Sequence, residues 1–223
     1  MANVPNQPQA PEAGALKIDL GPLISKAWAL LKADLVLFIV GYLILGLIAG
    51  TVIGLIVAGP LMFGYLRVIQ KRIKGEPAAI GDIFKGFDDF SKGLITMLLV
   101  LVVEVVFMIP VFVVILLLSF VPCVGWAIGA VVDLAAAIAL FSAIYFVWPI
   151  AALSDVAPMA AIKNGFKFLQ ANLAQVVVLA LVTGLIGGAG AIACIIGLFV
   201  TVPLAMIMCV MAYNEYYLPN APK

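Results

Sequence analysis

The sequence predicts an all-α membrane protein: six transmembrane helices paired as three hairpins, each preceded by a cytoplasmic interfacial amphipathic helix. Three observations lead there. Of 223 residues, 66% are apolar and only 10% charged, and the mean hydropathy is +1.28, whereas soluble domains average about half apolar and a quarter charged. The apolar residues form three long blocks, 35–66, 94–153 and 173–212, in which Glu104 and Asp133 are the only charged side chains. Six of the twelve Lys and Arg lie in the polar stretch between the first two blocks. A transmembrane β-barrel would alternate polar and apolar positions in short segments, and these runs are continuous.

The net charge is +1, without a basic patch interleaved with aromatics, so no nucleic acid partner is expected. The chain has no histidine, and Cys123, Cys194 and Cys209 lack any CxxC spacing. A disulfide framework, a metal site or a bound cofactor is therefore not expected. The cysteines read as small apolar residues in or near helices.

Residues 1–16, rich in Pro, Ala, Gln and Asn, are expected to form a disordered tail. They lack the basic start and apolar core of a cleavable signal. Residues 17–223 read as one polytopic domain.

Asp19 and Pro22 mark a helix start. Leu23, Ala27, Leu30 and Leu31 then share one face opposite Ser25, Lys26, Ala29 and Lys32, with Trp28 beside them, as suits an interfacial helix. The uncharged run 35–66 would be about 48 Å long as helix, against a hydrocarbon core of about 30 Å. It is long for one span and short for two. A single span would export Arg67, Lys71, Arg72, Lys74, Lys85 and Lys92 while Lys17, Lys26 and Lys32 stayed inside, against the positive-inside rule. A hairpin follows, with spans at about 35–51 and 54–73 and a turn near Gly50 and Gly54. Gly46, Gly50 and Gly54 also form a GxxxG series, a competing reading as a packing seam.

Gly75-Glu76-Pro77 is a helix stop. Beyond it Ile80, Ile83, Phe84, Phe87 and Phe90 recur at helical spacing and predict a second interfacial helix. Asp88 and Asp89 read as its solvated face. Spans at about 94–120 and 124–150 follow, turning at Pro122–Gly125, with Gly125 and Gly129 as close-packing positions. Asp155 and Pro158 repeat the first helix start, and Phe166 lies on the apolar face of a third interfacial helix. Spans at about 173–188 and 194–213 turn near 187–191, with Gly184 and Gly188 as packing glycines. Tyr213, Tyr216 and Tyr217 close the chain as an aromatic belt.

Residues of about 19–74 and 155–217 align as a parallel repeat. LLKADL (30–35) matches FLQANL (168–173), LGLIAG (45–50) matches TGLIGG (183–188), and GLIVAGPL (54–61) matches GLFVTVPL (197–204). The run GPL-x-x-GYLRVIQ…KG-x-P-x-x-x-GDIFKGFDDF, followed by AIKNGFKFLQANL and GL-x-VTVPL, resembles a bacterial family of uncharacterised six-helix integral membrane proteins. These are grouped with the membrane domain of glycerophosphodiester phosphodiesterases. The resemblance implies the six-helix fold, a bacterial inner membrane and no catalytic residues, because the phosphodiesterase activity of fused members belongs to a separate soluble domain.

Glu104 and Asp133 form the candidate polar site. Each lies about ten residues from a helix end, near mid-membrane and on neighbouring helices, where an ionised carboxylate costs several kcal/mol. They read either as a proton or cation relay in a small-molecule transporter or as protonated acids bonded to neighbouring hydroxyls. With no nucleophile beside a base, no metal-ligand cluster and no phosphate-cradling loop, the expected function is non-enzymatic: a scaffold, assembly or accessory component. Its partners would be the bilayer, other membrane proteins or a second copy, and both termini would be cytoplasmic.

Overall fold

The computed structural model describes residues 17–121, 124–192 and 195–221, and every regular element among them is helical. The expected tail, the Pro122–Cys123 turn and Cys194 lie outside the described residues. α1 (Leu20–Ala33) meets α2 (Leu35–Ala49) at 90°. After a break at 50–53, α3 (Gly54–Ile73) packs back along α2. A 3-10 helix, Ile80–Asp89, runs directly into α4 (Phe90–Leu118). α5 (Val124–Ile144), the short α6 (Val147–Leu153), α7 (Pro158–Ala171), α8 (Leu173–Ile192) and α9 (Ile195–Ala212) complete the bundle, ending in a π-helical turn at Tyr213–Tyr217.

Four helical runs among the described residues are long and apolar enough to cross a membrane: Ile80–Leu118, Val124–Leu153, Leu173–Ala191 and Gly197–Asn220. The bent α1–α2 pair makes a fifth if it is counted as one span. This makes a multi-pass membrane protein, with fewer such helices than the six expected. α2 has only 15 residues, about 22 Å of rise, and α3 carries Arg67, Lys71 and Arg72 in its last two turns.

α3 is the hub. Ten of its residues are buried, among them Leu61, Phe63, Tyr65 and Ile69, and it touches α2, the 3-10 helix, α4, α6 and α9. The glycines that permit this lie at the end of the first apolar block and in the polar stretch after it. A Cβ on Gly64 would sit 1.7 Å from the Ile83 carbonyl oxygen, and one on Gly86 1.9 Å from that of Pro60. Gly59 and Gly93 likewise meet backbone to backbone where α3 crosses α4. Only glycine fits such approaches.

Several expectations are corrected. The second lead-in is a ten-residue 3-10 helix, although such runs seldom exceed about four residues. Its strict three-residue spacing buries Ile83 and Gly86 on one edge and lines up Phe84, Phe87 and Phe90 on another, stacked at 6.5 and 6.1 Å between centroids. The turn expected near 187–191 is helix, and Gly190 instead packs against the Gly197 backbone. The span expected at 124–150 falls within the run Val124–Leu153, interrupted locally at Tyr145–Phe146 because Pro149, four residues on, has no N–H for the Tyr145 carbonyl. Tyr213 and Tyr217 are not a belt: the π turn stacks them at 5.4 Å in the core, against Phe146 and Phe168.

Candidate functional site

Polar side chains collect at one end of the bundle, around the last turns of α3. Arg67 pairs with Asp89 and donates to the Ala152 carbonyl at 3.1 Å. Lys71 and Lys85 flank Asp82 at 3.0 and 2.6 Å. Arg72 Nε reaches Asp34 at 2.7 Å, and Gln70 and Asn214 exchange two hydrogen bonds of 2.9 and 2.7 Å. Lys26 meets Glu215 at 2.8 Å, and Lys92 donates to the Ser154 carbonyl at 2.6 Å. The flanking ammonium groups hold the Asp82 carboxyl below the usual carboxylate range. Desolvation lowers the Lys92 ammonium from its ordinary value. Asp89 is thus an ion-pair partner, a role that the Asp88-Asp89 dipeptide alone does not reveal.

The two candidate acids lie on the other half of the molecule. α4 buries only Gly93, Thr96 and Val100, and α5 only Gly125, Gly129, Ala136 and Ser142. Along most of their length these helices form a two-helix arm. Gly125 packs against the Leu118 backbone and Gly129 against Ile115, which sets the register. Glu104 then lies level with about residue 140 and Asp133 with about residue 111, roughly 10 Å apart along the arm. The structure does not join them. Asp133 is exposed in a shallow groove with Ser119 and Trp126, and Glu104 is half-buried. Neither carboxylate has a hydrogen-bond or ion-pair partner among the described residues.

The glycines divide. Gly125 and Gly129 do pack, whereas a Cβ on Gly46 or Gly188 would meet nothing within 4 Å, and Gly50 touches only its own helix. Gly184 makes ordinary contact with the Phe141 ring. Gly46 and Gly188 are therefore corrected as packing positions within this chain: both face outward. Trp28, Phe84, Phe87 and Phe166 are each more than a third exposed, and Phe90 is half-buried.

Sequence reasoning missed a cavity of about 360 Å³ between α3, α5, α6, α8 and α9. Tyr145, Trp148, Thr183 and Cys209 line it, and the Tyr145 and Thr183 hydroxyls share a hydrogen bond of 3.1 Å. The Tyr145 carbonyl freed by Pro149 accepts from the Cys209 thiol at 3.3 Å. The proline four residues after a tyrosine was the one signal available. Compared with known proteins, the chain matches no family model, no curated sequence and no solved structure.

Proposed function

We propose that the chain is a non-enzymatic component of the bacterial inner membrane that joins an assembly through its α4–α5 arm, as a scaffold or accessory subunit. The observation that carries this is the unpartnered pair of acids on that arm. Apolar exposure alone is ordinary in a bilayer, where lipid covers it. An uncovered carboxylate facing hydrocarbon costs several kcal/mol, and a polar group on a neighbouring helix removes that cost. Another membrane protein or a second copy of this chain supplies the neighbour. The relay reading has less support, because the acids are separated along the arm and nothing bridges them.

In this reading the polar end faces the cytoplasm and all three blocks are hairpins, giving six spans with α2 and α3 each crossing. The hydrogen bond of 3.2 Å that the Asp19 backbone N–H donates to the Tyr216 hydroxyl supports a common side for the two ends. The parallel repeat also gains support. The joints after α1 and α7 share one geometry, Asp34 at φ −132°, ψ 45° and Asn172 at φ −132°, ψ 39°. The lead-ins follow one rule: the 3-10 helix packs on α3, α7 on α6, and α1 closes the ring on α9. The resemblance to the uncharacterised six-helix family belongs to the same proposal, and three glycines of its motif, Gly59, Gly64 and Gly86, form hub contacts.

Photoreactive residues at Val131 and Leu134, both exposed on the arm, test the assembly in intact cells. Discrete protein adducts that weaken several-fold in Asp133→Asn are expected; adducts to lipid alone would sink the reading. A cysteine at Lys85 should resist an impermeant maleimide until the cells are permeabilised. Labelling of intact cells there would reverse the topology.

A further inference from the structure

We infer that the cavity beside Tyr145 binds a neutral amphiphile through a carbonyl oxygen carried on an apolar body. The argument begins with hydrogen counting. Tyr145 is 4% exposed and Thr183 1%, so neither hydroxyl reaches bulk water. Two hydroxyls bring two protons, and their mutual bond of 3.1 Å uses one. The second proton has no acceptor oxygen among the described residues. The nearby Cys209 sulfur is a weak acceptor, and its own hydrogen goes to the Tyr145 carbonyl. A buried donor left without an acceptor costs about 1–3 kcal/mol, which a ligand carbonyl offsets.

The rest of the cavity selects the body of the ligand. Its walls are hydrocarbon and aromatic, from Met62, Phe141, Trp148 and Met206 among others, with no charged side chain. A volume of about 360 Å³ falls within the range of small-molecule sites. Gly184 lies along its wall against Phe141, and the exposed Gly188, with nothing within 4 Å of its Cβ position, lies at its edge, where the missing side chain leaves a lateral mouth. A ligand enters from the bilayer plane, so it is lipid-soluble and uncharged. Two sources share the chemistry: a ring carbonyl of quinone type and a glycerolipid ester.

Trp148 serves as the reporter. With Trp28 and Trp126 replaced by Phe, the full chain is reconstituted in phosphatidylcholine vesicles. It is then titrated with a short-chain 1,4-benzoquinone and, separately, with a diacylglycerol bearing brominated chains. At least one probe should quench Trp148 saturably above the linear collisional background. Saturation by the quinone alone identifies a ring carbonyl, by the diester alone an ester, and by both a site that reads only the carbonyl.

Either hydroxyl alone still donates, so Tyr145→Phe and Thr183→Val should each leave affinity within about twofold. The double variant should weaken it about three- to tenfold, the worth of one neutral hydrogen bond. Gly188→Leu should close the mouth and abolish saturation. Its new side chain meets nothing within 4 Å of Cβ, and an unchanged Tm confirms the fold. Linear quenching by both probes, or saturable quenching that survives the double variant or Gly188→Leu unchanged, overturns the proposal.

Discussion

The two halves of the molecule are held by different means. At the polar end α3 is enclosed on several sides, its glycines touch neighbouring backbones, and its basic residues each find an acid or a carbonyl. Along the α4–α5 arm one glycine-lined contact joins two helices whose outer faces are open. The first half carries its own packing; the second depends on what surrounds it. Substitutions should therefore act through folding at the polar end and through association on the arm.

Glycine replacement separates the halves most sharply. Gly64→Leu should prevent folding, costing more than about 4 kcal/mol because backbone must move to admit the side chain. Gly46→Leu should leave Tm within a degree or two, since its Cβ site is open. Thermal unfolding in detergent reads both, and equal losses would erase the distinction. Next comes the pair at the α1–α2 joint, where both side chains are about three-quarters buried. Arg72→Ala should cost about 1–3 kcal/mol by leaving Asp34 without its partner.

A smaller effect is expected with pH. The Asp82 carboxyl is held low by Lys85 and Lys71, so its contribution is fully present above the unfolded value of about 3.9. It fades as pH falls through the depressed folded value. Solvent screens the pair made by the largely exposed Lys85, and the pair with the less exposed Lys71 contributes about 1 kcal/mol or less. Asp82→Asn should remove that much at pH 7 and flatten the acid limb of a Tm-against-pH curve. A parallel, merely shifted limb would deny Asp82 the role. The smallest effect belongs to the arm: Val106→Ala, at a lipid-facing position, should change Tm by an amount equivalent to less than about 0.5 kcal/mol.

How much of this was legible follows the same division. Charge placement and apolar block length announce the membrane class and one polar end, because lipid enforces both along the chain. The Gly50–Gly54 break was readable for a similar reason: a Cβ on Gly54 would lie 2.4 Å from the Ala49 carbonyl oxygen, a local demand. Gly125 and Gly129 were readable too, four apart on one helix, but the glycines that pack α3 were not. Gly59 meets Gly93 and Gly64 meets Ile83, positions far apart in sequence, whereas a GxxxG search examines only one helix at a time. It selected Gly46 and Gly50, which face outward. The cavity escaped for the same reason, being walled by five helices, and the separation of Glu104 from Asp133 depends on a register set elsewhere, at Gly125.

The ring of lead-in helices has a consequence for synthesis. α1 leaves the ribosome well before α9, yet the surface that buries Leu23, Ala27 and Leu31 is completed by α9 and the turn after it. Until residue 216 is made, Asp19 lacks its tyrosine partner. α1 must wait while the 197 positions that separate Asp19 from Tyr216 are made, and its amphipathic face lets it wait on the membrane surface. The last helix then acts as a latch, so a chain truncated before α9 should insert and still fail to close.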